Sequence, residues 1–347
     1  MVCKDRLQNP NPRRWADEDI RYKDDMGFTV DLNKMQQNAR HAAAANIFAT
    51  MSSEEKSEQL LAQIRAQTDA QIDFSASIEG IPAEHMHIYR AMIRGEDNAF
   101  FQEAASVDGL LHAGDVVLCT GATFGAKVIT KGQKYAYEHA RSSHVALVHA
   151  DYVCIDAMPS AGVTNRLISE VLTDVKADWR VIRCKKLAPE HTDAVYRACA
   201  FYLAQPYKIR LSKKPMKAAA YCSELARKVF LHTGITSIGI PNDSVLSPGR
   251  FDALADNHSE WDDVTEQVRP AVDFCMKYPQ LMNVASRLMI EGLKLNRKRF
   301  EERREQVNEI QRLAGKKLVD KDKAKDLVKK IRDIENNMNH AFWDHSK

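Results

Sequence analysis

SHVALVHADYVCIDAM, residues 143–158, is the stretch whose reading decides the fold. Two β-branched, apolar runs, HVALV (144–148) and YVCIDAM (152–158), are separated only by His149, Ala150 and Asp151. A connection that short joins antiparallel neighbours in a hairpin. If Val148 faces Tyr152, then Ala146 faces Cys154 and His144 faces Asp156. Directly opposed side chains share one face of the ribbon with Cβ atoms about 4.5–5.5 Å apart, close enough for a carboxylate to hold an imidazole. The same pairing also occurs as an unremarkable surface contact, and a bulge or register slip would undo it. His149 and Asp151 read as solvent-exposed turn residues.

Outward from the hairpin, GDVVLC (114–119), AKVIT (126–130) and WRVIRC (179–184) read as further strands, with helical stretches near 190–204 and 221–232. This alternation makes an α+β unit with a small antiparallel sheet, over residues 106–252. Residues 1–105 read as a helical N-terminal region. There Ser52 and Glu55 have capping-box spacing, and Leu60, Ile64 and Ala70 follow near helical spacing. Residues 253–347 read as a C-terminal helical arm. Its apolar stripe runs through Val284, Leu288, Leu295, Val307, Ile310 and Leu313, then Leu327, Val328, Ile331, Ile334 and Met338, broken by AGKK at 314–317. Two long helices folded back as a hairpin, packed on the N-terminal helices, account for it.

Bulk properties remove several function classes. The 347 residues are 44% hydrophobic and 28% charged, as expected of a globular chain, and no window approaches a membrane-spanning run. The N-terminus lacks the apolar core of a secretory signal, which points to synthesis ending in the cytoplasm or to export by a specialised secretion system. Seven widely spaced cysteines in a chain this long read as reduced thiols. No CxxC or HExxH motif occurs, and His85 and His87 stand two apart, on different sides of a helix, so no metal site is expected. Nucleotide-binding glycine motifs are missing too. The formal charge of +3 conceals an asymmetry: residues 294–333 hold 15 Lys and Arg against 8 Asp and Glu, leaving the remainder at −4.

One cysteine stands apart, in AAAYCSELARKVF (218–230). As a core residue Cys222 would share a helix face with Leu225, Ala226 and Val229, while Ser223, Glu224, Arg227 and Lys228 point outward. As a nucleophile it would need a helix that begins near Tyr221. The positive helix end and unpaired amides would then lower its pKa and offer donors to an oxyanion. Pro215 and KAAA (217–220) leave open an earlier helix start, and local pattern leaves both readings standing.

The order GDVVLCTG, SSHVALV, VCIDAMPSAGV, PYKIR, YCSELARKVF resembles the permuted NlpC-like papain-fold thiol hydrolases, the group that includes YiiX and YaeF hydrolases and lecithin-retinol acyltransferases. The resemblance covers roughly residues 110–250. It implies a circularly permuted papain-like domain in which Cys222 is the nucleophile, His144 the general base and acid, and Asp156 the orienting third member. Tyr221 would line the oxyanion site or substrate groove, or equally be a packing residue, and Asp115 would be structural. No cofactor and no metal are implied. The expected activity is cysteine-dependent hydrolysis or acyl transfer through an acyl-enzyme, with lipid acyl esters favoured over peptidoglycan amides. The basic C-terminal helices suit peripheral contact with an anionic membrane. The architecture also fits a secreted antibacterial effector with a cognate inhibitor or delivery protein, with no nucleic-acid partner. The rival is a non-catalytic interaction protein built on the C-terminal helices.

Overall fold

The computed structural model describes residues 21–23, 29–51, 53–121, 131–135, 137–209 and 219–336. A short ribbon, β1 (Arg21–Lys23) with β2 (Thr29–Asp31), leads into helices α1 (Leu32–Met51), α2 (Glu54–Arg65), α3 (Asp69–Ile78), α4 (Met86–Arg94) and α5 (Ala99–Val107). Next come β3 (Val116–Cys119), β4 (His144–Ala150), β5 (Val153–Met158), β6 (Gly162–Leu167), the one-turn helix α6 (Ile168–Val171), β7 (Arg180–Cys184), α7 (Thr192–Tyr202), α8 (Cys222–His232) and α9 (Pro248–Asn257). The chain closes with β8 (Trp261–Asp263), α10 (Thr265–Lys277), α11 (Pro279–Gly315) and α12 (Lys321–Asn336). The class is α+β, as expected, with a six-stranded antiparallel sheet in the order β6-β5-β4-β3-β7-β8.

The central strands read as continuous apolar runs because both of their faces are covered. Every residue of β3, and every residue of β4 after His144, is buried, and successive side chains point to opposite faces. Helix α8 packs on β4 and β5, α7 on β4, and α10 on β7. The sheet reaches past residue 252 through β8, in the stretch expected to be only a helical arm. Three residues are too few to carry a periodic signal. Strand β6 was also not expected, because Thr164, Asn165 and Arg166 interrupt its apolar pattern. The strand expected at 126–130 lies outside the described residues.

The hairpin forms with a different register from the expected one. Ala146 pairs with Asp156, Leu147 with Ile155 and Val148 with Cys154, and a bulge at His149 precedes the Ala150–Val153 pair. The turn is Asp151–Tyr152, with Asp151 at φ 48°, so His149 and Ala150 belong to the strand. The strand runs on because both residues find cover in the core. The resulting slip is two residues, which preserves the side-chain face, whereas a slip of one would have reversed it. His149 is therefore corrected from exposed to buried, at 1% exposure, while Asp151 is exposed as expected.

In the N-terminal region the Ser52 part of the expected capping box lies outside the described residues. Ser53 is the N-cap of α2 and makes no side-chain capping bond, whereas Thr68 and Gln71 form a capping box at α3. Helices α11 and α12 pack on each other as the expected hairpin, and α1 packs on α11. Lys317, at φ 58°, turns the chain between them, and Met338 lies outside the described residues. Among the described residues no helix is long and apolar enough to cross a membrane.

Candidate active site

Helix α8 begins at Cys222, with Tyr221 in extended conformation as its N-cap. No side chain caps this end. The first-turn amides and the positive end of the helix therefore lie beside the thiol. Residues 210–218, with Pro215, lie outside the described residues, and Ala220 is in an isolated bridge with Tyr207 before the helix starts. The expected amphipathic division of α8 is corrected: Cys222 through Phe230 are all buried. Ser223, Glu224, Arg227 and Lys228 do not face water, because the helix is enclosed on all sides. The charges are matched instead. Arg227 pairs with Glu224 and donates to the Asp243 carbonyl at 2.9 Å. Lys228 donates to the Ala219 carbonyl at 2.6 Å and sits 5.0 Å above the Tyr202 ring.

His144 opens β4 and is diagonal to Asp156 across the β4–β5 pair, at a spacing that long side chains still bridge. Its Nε2 lies 2.7 Å from Asp156 Oδ2. The same imidazole lies beside the Cys222 thiol, close enough for each group to shift the pKa of the other. Asp156 is fully buried, and His144 keeps a side-chain exposure of 18%. The structure thus joins the three residues expected from the sequence in one chain of contacts, Cys222–His144–Asp156.

A cation that sequence reasoning missed completes this row. Arg166 donates from Nε to Asp156 Oδ1 at 3.3 Å and from Nη2 to Oδ2. In β6 it pairs with Cys154, and so is diagonal to Asp156 on the side away from His144. His144, Asp156 and Arg166 thus run across three strands on one face. The turn signals PSAG at 159–162, read as a second hairpin, could have found it. Asp252 was also missed, and nothing local marks it. Its buried carboxylate accepts from the Arg141 amide at 2.9 Å, the Ser142 amide at 2.8 Å and the Ser142 hydroxyl at 2.7 Å, which fixes the entry to His144.

The electrostatics favour an ion pair. Burial pushes the Cys222 thiol up, but the His144 hydrogen bond and charge, the Val145 amide and the Ser223 hydroxyl outweigh it, and its pKa falls below the ordinary value of 9.0. Burial alone would lower His144. Hydrogen bonds to Asp156 and Cys222 and their negative charges raise it to about 10. Asp156 is lowered despite complete burial, by His144 and then Arg166. Cys119, opposite His144 on β3, is pushed up to about 12 by burial. Of the two thiols near His144, only Cys222 is poised as a thiolate.

Asp115 holds structure, as expected. It accepts from the His112 amide at 2.9 Å and from Arg183 through two bonds of 2.7 Å. Tyr221, at 4% exposure and with its hydroxyl accepting from the Leu246 amide at 2.8 Å, packs in the core, the second of the two roles expected for it. Among the described residues no group of three His, Cys, Asp or Glu side chains could hold a metal ion.

No family model matches the chain, and no curated protein matches it. Among solved structures it is similar to the metalloprotein yiiX from Escherichia coli O157:H7, at 19% identity over 46% of this chain and 92% of that one, with a TM-score of 0.31.

Proposed function

We propose that the protein is a cysteine-dependent hydrolase or acyltransferase whose domain has a permuted papain-like arrangement. The observation that carries this reading is one imidazole bonded to Asp156 and set beside a thiol at a helix N-terminus, whose pKa it lowers. A nucleophile, a base and an orienter in hydrogen-bond sequence are what acyl transfer by a thiol requires. His144 holds the proton of Cys222. The thiolate attacks a carbonyl carbon to form a C–S bond, and the carbonyl electron pair moves to oxygen, beside the first-turn amides of α8. As the bond to the leaving alcohol or amine breaks, the His144 imidazolium gives that group its proton. Water or an acceptor alcohol, deprotonated by His144, then attacks the thioester and restores Cys222.

The substrate class we favour is lipid acyl esters. The basic helices α11 and α12 would bring such an enzyme to an anionic surface. Peptidoglycan amides are the alternative within the same chemistry, and delivery as an antibacterial effector with a cognate inhibitor is the biological setting this reading suggests. The test is an assay of the purified chain and its Cys222→Ala variant against labelled phospholipid and purified cell-wall fragments, alongside iodoacetamide alkylation of Cys222. Release of fatty acid that disappears in the variant is expected. If Cys222 alkylates near pH 6–7 no faster than an exposed control thiol, and neither substrate turns over, the enzyme reading fails in favour of a non-catalytic interaction protein.

A further inference from the structure

At the closed end of the β4–β5 hairpin an apolar cleft opens between α5, α10 and the start of α11. It lies at the opposite end of β4 from His144, roughly 20 Å away at about 3.3 Å per residue. Phe100, Phe274, Met282 and Met289 are buried in its lining, and Tyr152 and Phe101 stand at more open positions. Among the described residues that line it, the only charged side chains are two carboxylates, Asp108 and Asp151. We infer that this cleft is a binding site for an organic ammonium ion carried on an apolar body.

The argument is one of complementarity. Aromatic faces and methionine sulfur favour an apolar body, and aromatic rings attract a cation above them. Two carboxylates with no lining cation leave a negative potential that such a cation would neutralise. Their surroundings agree: although Asp151 is exposed at its turn, its carboxyl is raised by partial burial and then by the charge of Asp108, and Tyr152 is raised by burial and by negative groups alone. Lys277, on the neighbouring α10, is bound to Glu103 at 2.6 Å and 2.9 Å and does not line the cleft. The inference is independent of the thiol chemistry, since no residue of that site takes part.

The test uses three probes with one apolar body, 4-phenylbutylammonium, 4-phenylbutanol and 4-phenylbutyrate, titrated into the full chain at pH 7 by calorimetry or ligand-observed NMR. The ammonium ion is expected to bind about five-fold more tightly than the alcohol, with the carboxylate weakest, as two partly solvated charges allow. The double variant Asp108→Asn/Asp151→Asn should bring the ammonium ion to the affinity of the alcohol and leave the alcohol unchanged. Asn tolerates the positive φ of residue 151, so the variant should fold, and an unaltered Cys222 alkylation rate would verify this. Equal binding of ammonium and alcohol, or ammonium binding that ignores the double variant, would overturn the inference.

Discussion

At the residue scale the site turns on how one proton is shared. With Cys222 lowered and His144 raised to about 10, the thiolate–imidazolium pair exists between those two values. Alkylation of Cys222 should therefore climb as pH rises through its lowered pKa, below 9. Turnover should fall as pH passes about 10, where His144 loses the proton it must donate. In His144→Ala, burial acts on the thiol against only the Val145 amide and the Ser223 hydroxyl, so the alkylation midpoint should move upward; a midpoint that stays put would disprove the coupling. Arg166 is a positioning residue that acts through Asp156. In Arg166→Met one buried carboxylate oxygen loses its donors, a loss of about 1–3 kcal/mol in denaturant unfolding. His144 also loses a nearby cation, so the alkaline limb of the activity profile should shift upward. Arg166→Lys should restore part of both, whereas a purely structural role would leave the limb where it was.

At the scale of the element, α8 contradicts its own periodicity. Leu225, Ala226 and Val229 sit at amphipathic spacing, yet the polar side of the helix is enclosed as fully as the apolar one. Period reports which residues could face a core, and cannot report that a second layer covers the other face. The enclosure lowers Lys228 to about 8 through burial, against the pull of Glu224. Held there, its ammonium grips the carbonyl of Ala219, three residues before the nucleophile. Lys228→Met relieves the burial of a charge but releases that carbonyl. The melting temperature should change by only a few degrees, while Cys222 alkylation at pH 7 should slow. A large fall in stability with normal thiol reactivity would contradict the assignment. The hairpin makes the complementary point. Its parity was legible because strand period is two, but its register was not, because the bulge at His149 depends on the core that receives it.

At the scale of the whole molecule, burial has made His149 a contributor to acid sensitivity. Asn165 Nδ2 donates to its Nδ1 at 2.9 Å, and burial lowers its pKa to about 4 against a raising influence of the Tyr196 backbone. The unfolded chain, with an ordinary value of 6.5, binds more protons between pH 4 and 6.5. The contribution of this histidine is thus complete above pH 6.5 and is lost as pH falls through 4. Its size is roughly 3 kcal/mol at 1.36 kcal/mol per unit. Denaturant titrations at pH 4 and 7 should show a smaller difference for His149→Gln than for the parent chain; identical differences would refute the assignment.

The sequence by itself determined the residue chemistry and the local periods: a histidine and an aspartate on one face of a ribbon, a cysteine before a helix, and helices on either side of an α+β unit. These follow from side-chain spacing within a few residues, where the backbone leaves little choice. Only the tertiary structure decided the diagonal His144–Asp156 contact, the Arg166 grip on Asp156, the Asp252 clamp 110 residues from Ser142, the enclosed charges of α8 and the burial of Tyr221. Each depends on what packs against a surface from far along the chain. Burial and partner charge, which select a thiolate at Cys222 and leave Cys119 inert, are properties of that packing.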